Sequence, residues 1–143
     1  MIRASLSLPV EKGAVPGLLR TRGISPTAQR VEIAGILLAA RQHVCAEQIL
    51  TRLDAYGAAV SKATVYNTLG LFAERGLVRQ VIVDPAKVFY DSNVEAHHHF
   101  YNVDDGALTD VDVSELPIEQ LPKAPAGTVA EAVDIVIRIR NIP

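Results

Sequence analysis

A single cysteine, Cys45, in 143 residues excludes an internal disulfide and any structural zinc held by four cysteines of one chain. Such thiol poverty fits a reducing, cytoplasmic setting. Long apolar runs are also missing. None reaches the ~18–20 residues of a membrane span, so no membrane partner is expected. The opening "MIRASLSLPVEKGAVPG" lacks the hydrophobic region and small-residue cleavage site of a signal peptide, and residues 1–16 read as a loose arm. What is present is ample apolar material. Hydrophobic residues make up 49% of the chain and mean hydropathy is +0.20, enough for a folded soluble protein of one ordinary domain or two small ones.

The net charge of −2 conceals a division. Residues 1–90 carry 11 basic and 6 acidic side chains, whereas residues 91–143 carry 3 and 10. A basic half joined to an acidic one is the distribution of a nucleic-acid-binding segment followed by a segment of another kind, although a solvated surface can drift this far by chance.

The first half reads as helices. Residues 17–23 form a short one ended by glycine. A second begins with Ser25 as N-cap and Pro26 at its first position, with Val31, Ala34, Ile36, Leu37 and Leu38 as its apolar stripe. Residues 45–57 make a third, with Ile49, Leu50 and Leu53 on one face. Residues 60–77 make a fourth, capped by Ser61, striped by Val65, Leu69 and Phe72, and stopped by Gly76. Two short strands follow, 77–83 and 87–91, around Asp84-Pro85-Ala86. Helices followed by a β-hairpin is the order of a winged helix-turn-helix. The second half offers a strand "HHHFYNV", an Asp-Asp-Gly turn, "ALTDVDV", a Pro-rich link over residues 116–127 and a last strand over 132–140 with Val133, Ile135, Ile137 and Ile139 alternating. The fold class is α+β, an N-terminal winged helix-turn-helix over residues 1–92 and a small α/β domain over 93–143.

In a helix-turn-helix the second helix presents its N-terminal residues to the major groove. Here that helix exposes Lys62, Ala63, Thr64, Tyr66 and Asn67. Asn pairs with adenine, Ala and the Thr methyl touch the thymine methyl, and Tyr66 can donate to a phosphate. Arg20, Arg22, Arg30, Arg75, Arg79 and Lys87 are candidates for backbone contacts. The competing reading is an amphipathic helix with an ordinary polar face.

Three of the four histidines stand together in "EAHHHFYNVDD". On a strand, side chains alternate faces, so His97 and His99 point one way and His98 the other. Two imidazoles on one face make a bidentate metal arrangement. If the Asp-Asp-Gly hairpin closes with an even-length loop, Asp110 joins their face; with a three-residue loop it does not. Asp91 ends the wing and His43 precedes the third helix, giving a nitrogen and oxygen set suited to Fe(II), Mn(II) or Zn(II), with the carboxylates favouring the first two. A solvated edge strand with incidental histidines is the bland alternative. A catalytic reading, as a non-haem metalloenzyme, lacks any nucleophile or base beyond these ligands. Cys45 reads as a buried thiol.

The segments "GISPTAQR", "SKATVYNTLGLFAERGLV", "FYDSN" and "HHHFYNVDDGALTDVD" resemble the ferric uptake regulator family of metal-dependent transcription factors, over residues 17–112 and the final strand. The resemblance implies a winged helix, an α/β dimerisation domain, a homodimer on a palindromic double-stranded operator, and a regulatory metal bound by His43, Asp91, His97, His99 and Asp110. Asp at the last position is similar to the peroxide-sensing branch, in which a ligand histidine, here His43 or His97, is oxidised. The missing C-x-x-C pairs, the Pro-rich link and the triple histidine resemble instead the iron-response branch, which senses haem or iron, with His98 as a second-site or haem residue.

Overall fold

The computed structural model of the chain describes residues 6–116 and 121–143. Residues 1–5 of the expected loose arm and 117–120 of the Pro-rich link lie outside the described residues. The chain divides into two compact units, Met1–Glu95 and Ala96–Pro143, three residues beyond the expected cut.

In the first unit a 3-10 turn, Lys12–Ala14, leads into α1 (Val15–Thr21), α2 (Ala28–Leu37), β1 (His43–Val44), α3 (Ala46–Ala55), α4 (Lys62–Glu74), β2 (Arg79–Asp84) and β3 (Lys87–Asp91). The core is built from residues three or four apart. Ile33 and Leu37, Ile49 and Leu53, and Val65, Leu69 and Phe72 are all fully buried, as the helical period requires. Ile33 belongs to this stripe, whereas Val31 and Ile36, expected within it, only border it. The start of α2 differs from expectation. Thr27, not Ser25, is the N-cap, its hydroxyl accepting from the Arg30 N–H at 3.3 Å. Pro26 therefore lies outside the helix, and Ser25 serves through its carbonyl, which accepts from Thr27 N–H and Arg30 Nη1. Ser61 caps α4 as expected, accepting from Thr64 N–H at 3.1 Å. Gly76 follows that helix at φ +73°, a left-handed conformation that suits glycine.

The described part of the arm, expected to be loose, is packed. Leu6, Leu8 and Val10 lie against the core, Val10 N–H donates to Leu38 O at 2.9 Å, and Val15 is fully buried. These apolar residues have no helical period, so their burial was invisible to a periodicity argument.

The sheet of this unit runs β1-β3-β2, all antiparallel. β1 has only two residues. It is held beside β3 by its own ladder and by Ser92, whose hydroxyl accepts from Gln42 N–H and donates to Ala40 O while its N–H donates to Gln42 O.

The second unit holds β4 (His98–Asn102), β5 (Leu108–Val111), a 3-10 turn Val113–Glu115 and β6 (Val136–Ile139). Strand order is β5-β4-β6, with β5 antiparallel and β6 parallel to β4. Among the described residues this unit has no α-helix. The last strand is shorter than its alternation promised: Val133 and Ile135 precede it, and Ile139 is 39% exposed. The chain as a whole is α+β.

Candidate metal centre and nucleic-acid interface

In the first unit the register pairs His43 with Asp91 directly across β1 and β3. His43 Nε2 stands 3.7 Å from Asp91 Oδ2. The Asp91 side chain is almost wholly buried, and its other oxygen accepts from Asn93 N–H at 2.9 Å. A buried carboxylate is costly without partners, and here an imidazole and a backbone amide supply them. This pairing depends on the two-residue strand that no sequence pattern announced.

In the second unit the β4–β5 ladder pairs His98 with Val111, His99 with Asp110 and Tyr101 with Leu108. Asn102 N–H donates to Ala107 O and Gly106 N–H donates to Asn102 O, so residues 103–106 form the loop. Its length is even, the condition that puts Asp110 on the face of His97 and His99. Gly106 takes φ +74° in that closure. Asp110 Oδ1 lies 3.4 Å from Nε2 of both His97 and His99. The two imidazoles meet edge to face with ring centroids 4.5 Å apart.

These distances test whether a metal fits. Two donors each ~2.1 Å from one ion, at octahedral to tetrahedral angles, lie about 3.0–3.4 Å apart. Both histidine–aspartate distances meet that spacing, and the ligand atoms of His97, His99 and Asp110 all lie within 4.8 Å of one another. The His43–Asp91 spacing of 3.7 Å fits a slightly wider angle. His97 and His99 are buried, whereas the Asp110 side chain is 50% exposed.

His98 faces away from this set, as alternation predicts. It is buried, and its Nδ1 accepts the Ile135 N–H at 3.1 Å. That bond ties β4 to the residue leading into β6, which is a structural duty.

The face of α4 expected to read bases is open to solvent at Lys62, Ala63, Tyr66 and Asn67, while Thr64 is half-buried. Thr64 Oγ1 also accepts from the Ser61 hydroxyl at 2.9 Å. Beside this face an open cavity of about 300 Å³ is lined by Thr27, Gln29, Arg30, Thr64 and Asn67, joining the start of α2 to that of α4. Arg20 is exposed, and Arg30 and Arg79 are half-buried. Arg22 has a structural contact, its Nη1 donating to Gly76 O at 2.8 Å. Tyr66 has a partner the sequence did not suggest. Its hydroxyl, read from sequence as able to donate to a phosphate, donates in the free chain to Glu47 Oε1 at 2.5 Å. That hydrogen bond pushes the Tyr66 phenol up to about 12 and holds the Glu47 carboxyl below its ordinary value. Glu47 was missed because its partner lies 19 residues away, on another helix. Cys45 is the buried N-cap of α3, with Gln48 Oε1 accepting its N–H.

The profile of the ferric uptake regulator family matches residues 21–136. A peroxide-responsive repressor PerR from Staphylococcus aureus is 31% identical over 104 residues, 72% of this chain and 70% of that protein. One from Staphylococcus epidermidis is 30% identical over 72% of this chain and 69% of its own length. Among solved structures, the ferric uptake regulator from Pseudomonas aeruginosa with manganese is similar at TM-score 0.69 and 28% identity, covering 89% of this chain and 97% of that one. The Vibrio cholerae ferric uptake regulator shares the fold at TM-score 0.73 and 23% identity, covering 88% and 98%.

Proposed function

The chain belongs to the ferric uptake regulator family, and on that premise we propose that it is a metal-dependent, DNA-binding transcriptional repressor of the peroxide-responsive kind. The observation that carries this reading is the set formed by His97, His99 and Asp110, with both imidazoles at ligand spacing from one carboxylate oxygen. In this reading the His43–Asp91 pair supplies the remaining donors, so five side chains serve one ion. Nitrogen and oxygen donors with two carboxylates favour Fe(II) or Mn(II) and also accept Zn(II).

Ferrous iron held there would promote oxidation of an imidazole by hydrogen peroxide, one peroxide oxygen adding to the ring carbon and the other leaving as water with the displaced ring hydrogen. His43 and His97 are the imidazoles proposed to take up oxygen in consequence. An oxidised ring donates its lone pair poorly, so the chain releases the ion and then the operator. Ligands drawn from both units would couple their orientation, and hence the spacing of two recognition helices ~34 Å apart in a homodimer on a palindromic site. Lys62, Ala63, Thr64 and Asn67 would read base edges, with Arg20, Arg30 and Arg79 on phosphates. The protein acts as a cytoplasmic regulator, not as an enzyme. Support for the peroxide signal comes from the staphylococcal relatives and from aspartate at position 110.

Intact-mass measurement of the ferrous protein before and after dilute peroxide, beside a gel shift, tests this. One added oxygen on a peptide holding His43 or His97, with loss of DNA binding, is expected. Unchanged mass with haemin-dependent release would overturn the peroxide reading in favour of a haem sensor.

A further inference from the structure

The hydroxyl of Tyr66 reaches from α4 across to the first turn of α3, where Glu47 Oε1 accepts its proton at 2.5 Å. One turn before it, Lys62 Nζ lies 5.8 Å from the Tyr66 ring centroid. Both Tyr66 and Glu47 are exposed, so this connection lies on the surface assigned to base reading. We propose that Glu47 is a specificity-determining positioning residue: by accepting the phenolic proton it leaves Tyr66 only an apolar ring edge and oxygen lone pairs to offer a base. The inference rests on the DNA-reading role proposed above for α4.

A phenol carries one donor. Engaged with a carboxylate, in a charge-assisted bond roughly twice as strong as a neutral one, that donor is withheld from phosphate oxygens. The Glu47 charge beside it also opposes a phosphate. The base edges that match what remains are the adenine N6 and cytosine N4 amines, which donate, and the thymine methyl, which packs on the ring. Guanine N7 and O6 and thymine O4 are acceptors and find no donor on Tyr66. The tether between helices also orders the ring before DNA arrives, reducing the entropy lost on binding. The opposed shifts of the two groups, Tyr66 up and Glu47 down, have this bond as their largest cause.

The test is selection from a randomised double-stranded DNA library by the full-length Mn(II)-loaded protein, comparing wild type with Glu47→Ala, Glu47→Gln and Tyr66→Phe. Absorbance titration of the tyrosines without DNA accompanies it. Glu47→Ala should lose roughly 3–10-fold of base discrimination at one position per half-site, leave other positions unchanged, and bring one tyrosine down from about 12 towards 10. Glu47→Gln, whose amide oxygen still accepts the phenolic proton, should retain the wild-type preference. Wild-type preference in Glu47→Ala, a uniform weakening at every position, or an unchanged tyrosine titration overturns the inference while a selective wild type upholds the DNA-reading role. A wild type without any base preference overturns both together.

Discussion

Replacing Asp110 by asparagine separates charge from shape at the candidate metal centre. Asparagine keeps the volume and one carbonyl oxygen, so the β4–β5 register and the positions of His97 and His99 should persist. Only the negative charge 3.4 Å from both imidazole nitrogens is lost. At ~2.1 Å from a divalent ion, one unit charge contributes roughly 4 kcal/mol even at the dielectric constant of bulk water, ~80. That screened limit is appropriate because the side chain is 50% exposed. At about 1.4 kcal/mol per decade, Mn(II) affinity should fall on the order of a thousandfold. Asp110→Glu, which retains the charge on a longer arm, should lose far less affinity but should lose peroxide sensitivity. Competition with a fluorescent chelator measures affinity, with circular dichroism and thermal unfolding reporting the fold. An Asp110→Asn protein within about threefold of wild type in Mn(II) affinity would refute the ligand assignment.

Other perturbations probe separate parts of the account. His98→Ala should cost about 1–3 kcal/mol in chemical denaturation, because the Ile135 N–H loses its acceptor, with Mn(II) affinity unchanged; affinity loss matching His99→Ala would contradict the division of the histidine run. Thr27→Ala should destabilise by about 1 kcal/mol and Ser25→Ala by only a few tenths, and the reverse order would restore Ser25 as the cap. The Tyr66–Glu47 bond also sets a pH dependence. With the phenol raised, its stabilisation is full below the ordinary value of 10.0 and lost as pH rises through about 12. With the carboxyl lowered, the same stabilisation is full above 4.5 and lost as pH falls through the depressed value. Tyr66→Phe should therefore flatten both ends of a urea-denaturation profile against pH, and a profile parallel to wild type would show that the bond contributes nothing.

Much of this fold was legible because its signals are periodic or chemical. Val65, Leu69 and Phe72 announced α4, Ser61 and Gly76 bounded it, and alternation separated His98 from His97 and His99. Where tertiary contacts decide, the sequence was silent. β1 is too short to carry a period, yet it alone places His43 opposite Asp91. The N-cap of α2 is Thr27, whose hydroxyl takes the Arg30 N–H, and the sequence offered two capping residues, Ser25 and Thr27, on either side of Pro26. Asp110 depended on loop length, which the hairpin between Asn102 and Ala107 settles. Tyr66 offered a plausible phosphate donor until Glu47, a neighbour only in space, appeared as its acceptor.

Whether the metal's ligands govern DNA binding is decided by a gel shift on DNA selected by the wild-type protein. Wild type and His97→Ala are compared in Mn(II) and in chelator. Strong retardation is expected for wild type in Mn(II), with loss in chelator and no metal stimulation of a folded His97→Ala protein. Equal retardation in all four lanes would contradict that expectation.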